Sequence, residues 1–235
     1  MYKFRLCFSK TESLRFIGHL DFLRIFQQTI RRAGLPVAYS QGFNPHQQLS
    51  FALPLPLGMA STNDYADITL ATAVNPSEIV NTLNAAAPQG LHVHAAKPIK
   101  PGEGAAAAII STALYELQKD TGTVPCLTRP HGIARQGTVP VSLVDKPQIA
   151  NRIEEALAAE AIIVPKKTKS GVKNTDIRPD IMGLEVTDSG VQMLLSAGSS
   201  QFLNPLLVAE YLFGEKPCTS CLTRVELYQK DGKGL

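Results

Sequence analysis

The chain has 235 residues, 44% of them hydrophobic and 18% charged, with a formal net charge of +3. That length and apolar content suffice for one large soluble domain or two ordinary ones, while so small a net charge means that any nucleic-acid surface must come from local clustering. No apolar run approaches the roughly 20 residues of a membrane helix, and residues 1–10 lack the apolar block of a signal peptide, so we expect a cytoplasmic protein without a membrane partner.

The start of the chain alternates apolar and polar side chains, which predicts a strand over residues 2–9. A helix is predicted next, because apolar residues recur at helical spacing until Gly34 and Pro36 end it. Its expected apolar face carries Phe16, Leu20, Leu23 and Ile30.

Four further extended segments are predicted at residues 37–39, 49–57, 65–72 and 91–96. A turn-rich stretch separates the first two, which we count as one interrupted strand. A helix over residues 75–87 precedes the last, with Asn75 as its N-cap and Pro76 at its first position. The order strand, helix, strand, strand, helix, strand is that of the ferredoxin-like, or split βαβ, fold.

The second half repeats this order after a Pro- and Gly-rich linker candidate at residues 97–108. Strands are predicted at 109–119, 161–164, 191–197 and 223–230, and helices at 147–159 and 204–213. An Asn-Pro helix start recurs at Asn204. We therefore predict an α+β protein of two tandem ferredoxin-like domains, residues 1–104 and 105–235, with insertions at 122–145 and 166–187.

The first helix is predicted to carry a cationic side. Arg24, Gln28 and Arg31 are separated by four and three residues and therefore share one face, with Arg32 beside it. The ordinary alternative is a solvated helix face. The loop that follows favours a binding surface instead, since it combines aromatic and hydrogen-bonding side chains.

That loop spans residues 39–46. Tyr39 and Phe43 could stack on bases, Gly42 allows a backbone to approach closely, and the remaining polar groups are Ser40, Gln41 and Asn44. Arginines that contact phosphate beside aromatic platforms indicate a surface for single-stranded RNA.

His19 and Asp21 would point about 200° apart in a regular helix, which argues against a direct His–Asp dyad. We interpret His19 as a cap of the helix. His46 could approach His19 only through the fold, which leaves a two-histidine metal or acid–base site as an alternative. These histidines are the only catalytic candidates, and we expect a protein that is not an enzyme.

Residues 166–180 concentrate lysines, with Gly171 allowing a turn. One interpretation is a solvated, mobile loop, and the other is a clamp that follows a phosphate backbone without reading bases. Its basic residues are Lys166, Lys167, Lys169, Lys173 and Arg178.

Four cysteines are too few and too unevenly spaced for a secreted disulfide framework. Cys218 and Cys221 form one CxxC, but a tetrahedral zinc site needs two more ligands, so we expect a structural role and neither metal nor cofactor. The phosphate loop, HExxH and GxSxG motifs are absent, as is the CxxxCxxC that holds the cluster of radical-SAM enzymes.

Several motifs resemble the radical-SAM-linked protein family, a bacterial domain of unknown function. They are HLD at 19–21, RRAGLP at 31–36, YSQGFNP at 39–45, PLPLG at 54–58 and KSGVKNTDIRP at 169–179. The resemblance covers nearly the whole chain and implies a role beside a B12-binding radical-SAM protein, to which members are fused or next to which they are encoded, often near a ribonuclease of the E/G type. Without the cluster cysteines, this chain would be the partner and not the radical enzyme.

We therefore expect a non-catalytic RNA-binding accessory protein of a radical-SAM system, acting in tRNA or rRNA modification, with RNA and the B12-binding radical-SAM protein as partners. Two alternatives remain: a metal-independent endoribonuclease using His19 or His46, and an adaptor that docks on the radical-SAM partner without any RNA role. The expected binding residues are Arg15, His19, Asp21, Arg24, Arg31, Arg32, Tyr39, Ser40, Gly42, Phe43, Asn44, His46, Lys166, Lys167, Lys169, Lys173 and Arg178.

The first helix, the loop 39–46 and the basic segment 166–178 are expected to face one shared cleft between the domains. A cleft lined by one sign of charge focuses electrostatic potential on an anionic partner.

Overall fold

A computed structural model describes residues 1–118, 146–168, 171–198, 201–214 and 217–235. The chain is a mixed α+β protein whose described strands pair mostly antiparallel. It divides into two compact units, residues 1–111 with 224–235 (unit 1) and residues 112–223 (unit 2). None of the helices in the described ranges combines the length and the apolar character that crossing a bilayer requires.

The helices and strands follow one another in the order β1 (Tyr2–Lys10), α1 (His19–Arg32), β2 (Leu49–Phe51), β3 (Ala60–Leu70), α2 (Pro76–Ala86), β4 (Leu91–Pro98), α3 (Ala106–Ile109), β5 (Ile110–Gln118), α4 (Lys146–Ala158), β6 (Ile163–Thr168), β7 (Gly171–Asp176), β8 (Ile181–Val186), β9 (Gly190–Ser196), α5 (Pro205–Phe213) and β10 (Leu222–Gln229).

In unit 1 the strands lie in the order β4-β1-β3, and β3 also pairs with β2 and with β10. Alternation along β1 places Phe4, Leu6 and Phe8 in a core that also contains the buried side chains of α1 and α2. Both helices therefore cover one face of this sheet, and the odd-numbered residues of β1 point to the other face.

The buried face of α1 differs from the predicted one. Ile30 is buried as predicted, but Leu20 is 67% exposed, and Phe22 and Phe26 are buried in addition to Ile30. These three recur every four residues, and the rings of Phe22 and Phe26 pack against that of Phe8 at 5.9 and 5.2 Å. Aromatic side chains bury more apolar area than leucine, which orients the helix by its phenylalanines.

The Asn-Pro starts of α2 and α5 are confirmed. The side chain of Asn75 accepts a hydrogen bond from the Ser77 N–H at 3.0 Å, and that of Asn204 accepts one from the Leu206 N–H at 3.0 Å. Each satisfies a backbone donor that has no partner within its helix.

The extended segments predicted at 37–39 and 49–57 are shorter in the structure. Residues 37–39 make only isolated bridges, from Val37 to Leu70 and from Tyr39 to Gln47. The second segment contributes the three residues of β2, because the prolines that follow have no N–H for a strand ladder.

Unit 2 contains the antiparallel order β5-β9-β8, the helices α4 and α5, and a separate hairpin of β6 and β7. The stretch predicted as an insertion at 166–187 therefore includes β8, a regular strand of the sheet. The insertion predicted at 122–145 lies outside the described residues.

A solvated, mobile loop was one of two interpretations of the basic segment, but residues 166–168 and 171–176 lie in a hairpin of β6 and β7. Its strands pair from Ile163 with Asp176 to Thr168 with Gly171. Gly171, the residue expected to allow a turn, begins β7 with φ +128°, a backbone conformation that other residues rarely adopt. The tandem ferredoxin-like arrangement stays a prediction.

Candidate nucleic-acid interface

The cationic strip of α1, defined as Arg24, Gln28, Arg31 and Arg32, is exposed along its whole length. Arg24 donates to the carboxylate of Asp21 at 2.7 Å, in an ion pair whose side chains are 72% and 65% exposed. Such exposed pairs contribute little and break easily. Among the residues that the structure describes, no carboxylate lies within ion-pair distance of Arg31 or Arg32.

The aromatic loop, residues 39–46, follows α1 and carries exposed rings. Phe43 is completely exposed and Tyr39 is 45% exposed. Gly42 has φ +132°, in a region that side-chain-bearing residues rarely adopt, and a Cβ there would meet no atom within 4 Å. Backbone geometry and not crowding therefore favours glycine at this position. Asn44 is also exposed.

The two ends of the aromatic loop are joined. The Ser40 N–H donates to the His46 carbonyl at 2.8 Å, the His46 N–H donates to Ser40 Oγ at 3.0 Å, and Ser40 Oγ lies 2.8 Å from His46 Nδ1. Ser40 and His46 thus close the loop, which presents the rings of Tyr39 and Phe43 on a defined backbone.

Gln47 connects the aromatic loop to the cationic strip. Its side chain is 5% exposed, and its Nε2 donates to the Gln27 carbonyl of α1 at 3.4 Å. Gln27 lies three residues after Arg24 and four before Arg31, so it occupies the same side of the helix. The arginines and the aromatic rings therefore belong to adjoining surfaces of unit 1.

Two predicted binding residues are occupied by structural contacts. Arg15 Nε donates to the Gly58 carbonyl at 2.9 Å, at the end of the PLPLG motif. The guanidinium of Arg178 donates to the carbonyls of Ile181 and Leu157 at 3.1 and 2.8 Å. Both side chains hold backbone segments together within their own units, a role that their charge alone does not reveal.

His19 does not cap α1, so that expectation is wrong. The N-cap is Gly18, and no side chain makes a capping hydrogen bond there. The ring of His19 instead contacts the edge of Phe51, with centroids 5.6 Å apart. His19 lines a cavity of about 10 Å³ with Lys10 and Asp64, whereas His46 lines a different pocket. The fold therefore does not assemble the two histidines into one acid–base site.

No group of three or more His, Cys, Asp or Glu side chains within the described ranges is placed to hold a metal ion. Cys218 Sγ lies 3.0 Å from Ser220 Oγ, and the Cys221 N–H donates to the Cys218 carbonyl at 3.0 Å. The CxxC thus sits in a short 3-10 turn, Thr219–Cys221, that leads into β10.

Sequence reasoning missed a buried charged cluster beside His19. Arg224 is fully buried and donates through Nη2 to both carboxylate oxygens of Asp64, at 2.9 and 2.7 Å. Lys10 is 1% exposed and donates to the Ile17 carbonyl at 2.7 Å, with its Nζ 4.8 Å from the centroid of the Phe22 ring.

Burial of Lys10 lowers its pKa to about 8. Asp64 opposes this shift and Arg224 adds to it. Desolvation is the largest of these effects and outweighs the attraction of Asp64, while the positive charge of Arg224 repels the ammonium. No local pattern marks the cluster, whose members lie far apart in the sequence.

The basic hairpin, β6 with β7, places Lys166 directly opposite Lys173. The side chain of Lys167 and the whole of Lys169 lie outside the described residues, so their part in a phosphate clamp stays a prediction, as does the shared cleft. Like charges in directly opposed positions repel. A hairpin that retains such a pair is suited to an anionic partner.

A family model described as "Uncharacterized protein conserved in bacteria (DUF2344)" matches residues 3–205. The chain belongs to this family. No curated protein matches the chain. The region that the DUF2344 family model matches includes the cationic strip, the aromatic loop, the basic hairpin, Lys10 and Asp64, and it ends before Arg224.

For this DUF2344 protein, replacing Lys173 by glutamate should raise the free energy of unfolding by about 0.5 kcal/mol, because the repelling pair becomes an attracting one. Urea unfolding measures the change. Lys173→Gln, which only removes the repulsion, should give a smaller gain. A Lys173→Glu protein less stable than the parent would contradict the cross-strand repulsion.

Proposed function

We propose that the protein is a non-catalytic RNA-binding accessory protein of a radical-SAM system, acting in the cytoplasm in tRNA or rRNA modification. The observation that carries the RNA proposal is the cationic strip adjoining the aromatic loop, linked by the bond from Gln47 to Gln27. The connection to a B12-binding radical-SAM protein rests on the motif resemblance alone.

The chemistry of this surface fits single-stranded RNA. Arginine side chains with no carboxylate partner bind phosphate oxygens, and exposed rings stack on bases that are not paired in a duplex. Stacking on aromatic side chains tolerates every base, while phosphate contacts supply affinity without sequence preference. Lys166 and Lys173 of the basic hairpin offer further phosphate contacts.

Salt-dependent RNA binding tests the proposal. The parent should bind single-stranded RNA at low salt and lose affinity steeply as salt rises. Replacing Arg31 and Arg32 together by alanine should lower affinity and flatten the slope of log K against log salt by about 1.4, since each lost phosphate contact on a single strand removes about 0.7.

The aromatic loop contributes base stacking, and the same salt titration separates stacking from phosphate contacts. Phe43→Ala should reduce affinity by about 1–3 kcal/mol, the value of one stacked base, with an unchanged salt slope. Lys97→Ala, an exposed lysine on β4, serves as the control. Absence of RNA binding at low salt, or variants that bind like the parent, would refute the proposal.

An adaptor function is the second candidate, favoured by exposed apolar side chains on unit 1. Leu20 on α1 is 67% exposed, Leu57 is 62% exposed, and Phe43 is fully exposed. Arginine and aromatic side chains also dominate protein-binding hot spots. Three results together would favour this function over the first. The protein partner would still bind after complete nuclease treatment, Leu20→Asp would no longer bind it, and the parent would show no affinity for RNA.

We also propose the finer fold assignment, two tandem ferredoxin-like domains divided near residue 104. In unit 1, the antiparallel order β4-β1-β3 with β2 on β3 supports a split βαβ unit. In unit 2, the antiparallel order β5-β9-β8 with the helices α4 and α5 matches three of the four strands of a second one, into which the basic hairpin is inserted.

A further inference from the structure

A pocket of about 320 Å³ lies on the sheet face of unit 1 that points away from α1 and α2. On this face, Lys3 is paired with Thr69, and Asp67 lies between Arg5 and Ser50. Directly opposed residues share a face of the sheet. Four of these five residues, Lys3, Ser50, Asp67 and Thr69, line the pocket. A pocket of this volume is large enough for one small planar ligand.

The segment 99–105, predicted as part of a linker, forms one wall of the pocket. The Ile99 N–H donates to the Lys3 carbonyl at 2.9 Å, and the Ala106 N–H donates to Asp67 Oδ2 at 2.8 Å. Arg5, only 4% exposed, donates to Asp67 and Glu103, each at 2.9 Å. The segment is therefore fixed over the sheet and keeps the pocket formed.

The opposite wall comes from β2 and the end of the aromatic loop. His46, which closes that loop, lines the pocket together with Gln48 and Ser50. The Gln48 Nε2 donates to the Tyr39 carbonyl at 3.2 Å. The pocket therefore adjoins the aromatic loop at His46.

The charges around the pocket cancel. Lys3, Asp67 and Glu103 line the pocket. Arg5 is paired with both carboxylates, so two cations balance two anions. An anionic group would gain nothing there, whereas a neutral planar group would find both hydrogen-bonding and apolar walls. A carboxylate offers about four lone-pair sites. Asp67 accepts two bonds from Arg5 and one from the Ala106 N–H, and Glu103 accepts one from Arg5 and one from the Lys100 N–H, so each keeps acceptor capacity.

We propose that this pocket takes one unpaired nucleobase bearing an exocyclic amino group. The proposal deepens the proposed function, because the base belongs to the RNA bound by the aromatic loop. Carboxylate oxygens accept hydrogen bonds from the amino groups of cytosine and adenine, whereas uracil has the acceptor O4, which a carboxylate repels, where cytosine has its amino group. The pocket therefore discriminates against uracil, while the cationic strip and Phe43 bind every sequence.

The test compares oligo(C) with oligo(U) of equal length. The parent should prefer oligo(C) about tenfold, equivalent to about 1.4 kcal/mol. Ser50→Phe fills the pocket from the exposed strand β2 and should abolish the preference while leaving oligo(U) affinity within about twofold, which also shows that the variant is folded. Ser50→Ala keeps the volume open and should keep the preference.

Free cytidine, titrated in a separate arm and followed by NMR shifts of pocket residues, distinguishes the two sources of the base. The parent could bind cytidine but neither oligonucleotide, with cytidine binding lost in Ser50→Phe. That result would assign the pocket to a free nucleoside and refute only the proposed function. Equal binding of both oligonucleotides by the parent, or a preference retained in Ser50→Phe, would overturn the pocket and leave RNA binding in place. Absence of all binding would overturn both.

Discussion

Replacing Arg224 by methionine is expected to lower the free energy of unfolding by about 3–5 kcal/mol, because it leaves a buried carboxylate without its main partner. Arg224 is fully buried, and its Nη2 binds both oxygens of Asp64. The same nitrogen donates to the Leu53 carbonyl at 2.8 Å, so the FALPLPLG stretch would also lose a contact. Urea unfolding at neutral pH measures the loss.

A double-substitution cycle separates this pair from general damage to the core. Asp64→Asn combined with Arg224→Met should cost less than the sum of the two single changes, since neither charge then remains buried alone. Lys97→Met, which removes an exposed cation from β4, is the control and should change stability by less than about 0.5 kcal/mol. A loss below about 1 kcal/mol for Arg224→Met would contradict the assigned role.

Local sequence patterns were sufficient to predict the helices and strands whose stabilising contacts lie between neighbouring residues. The alternation of Phe4, Leu6 and Phe8 predicted β1, and the Asn-Pro starts at Asn75 and Asn204 predicted two helices together with their capping bonds. In each case the stabilising contacts lie within a few residues of the pattern, so the sequence contains all the information needed.

Contacts between distant residues were not predictable in this way. Asp64 and Arg224 are 160 positions apart, and each alone is typical of a surface side chain. The same limit affected α1, where leucines and phenylalanines form two adjacent apolar stripes. Which stripe is buried depends on contacts with distant residues, among them the ring of Phe8 on β1.

The candidate interface was predictable in composition but not in arrangement. The exposure of Arg31, Tyr39 and Phe43 follows the sequence expectation. The bond from Gln47 to Gln27, which joins the aromatic loop to the helix, depends on how the loop returns to the sheet. Charge counting also grouped Arg178 with the lysines, although backbone carbonyls occupy its guanidinium.

Lys10 gives a second large expected effect, which appears as a function of pH. Its folded-state pKa of about 8 lies below the 10.5 of an unperturbed lysine because burial disfavours the charged form. The groups facing it are Asp64 on β3, Arg224 on β10, and His19 and the Phe22 ring on α1. Of these, Asp64 favours the ammonium and Arg224 disfavours it.

Below about pH 8 the folded and unfolded states both carry the proton, and the whole cost of burying the charge is present. Between about pH 8 and 10.5 the unfolded state binds more protons than the folded state, so stability rises with pH, and above that window the cost is gone. The stability of the parent relative to Lys10→Met should therefore increase by about 2–3 kcal/mol between about pH 7 and pH 10.

Urea unfolding of both proteins across this range checks the expectation, and the comparison with Lys10→Met cancels every other group that titrates. Lys3→Met removes a lysine from the exposed start of the same strand and should give a profile parallel to that of the parent. Parallel profiles for the parent and Lys10→Met would show that Lys10 keeps its proton equally in both states. An ammonium that keeps its proton in the cavity it shares with His19 would then need a counter-charge beyond Asp64.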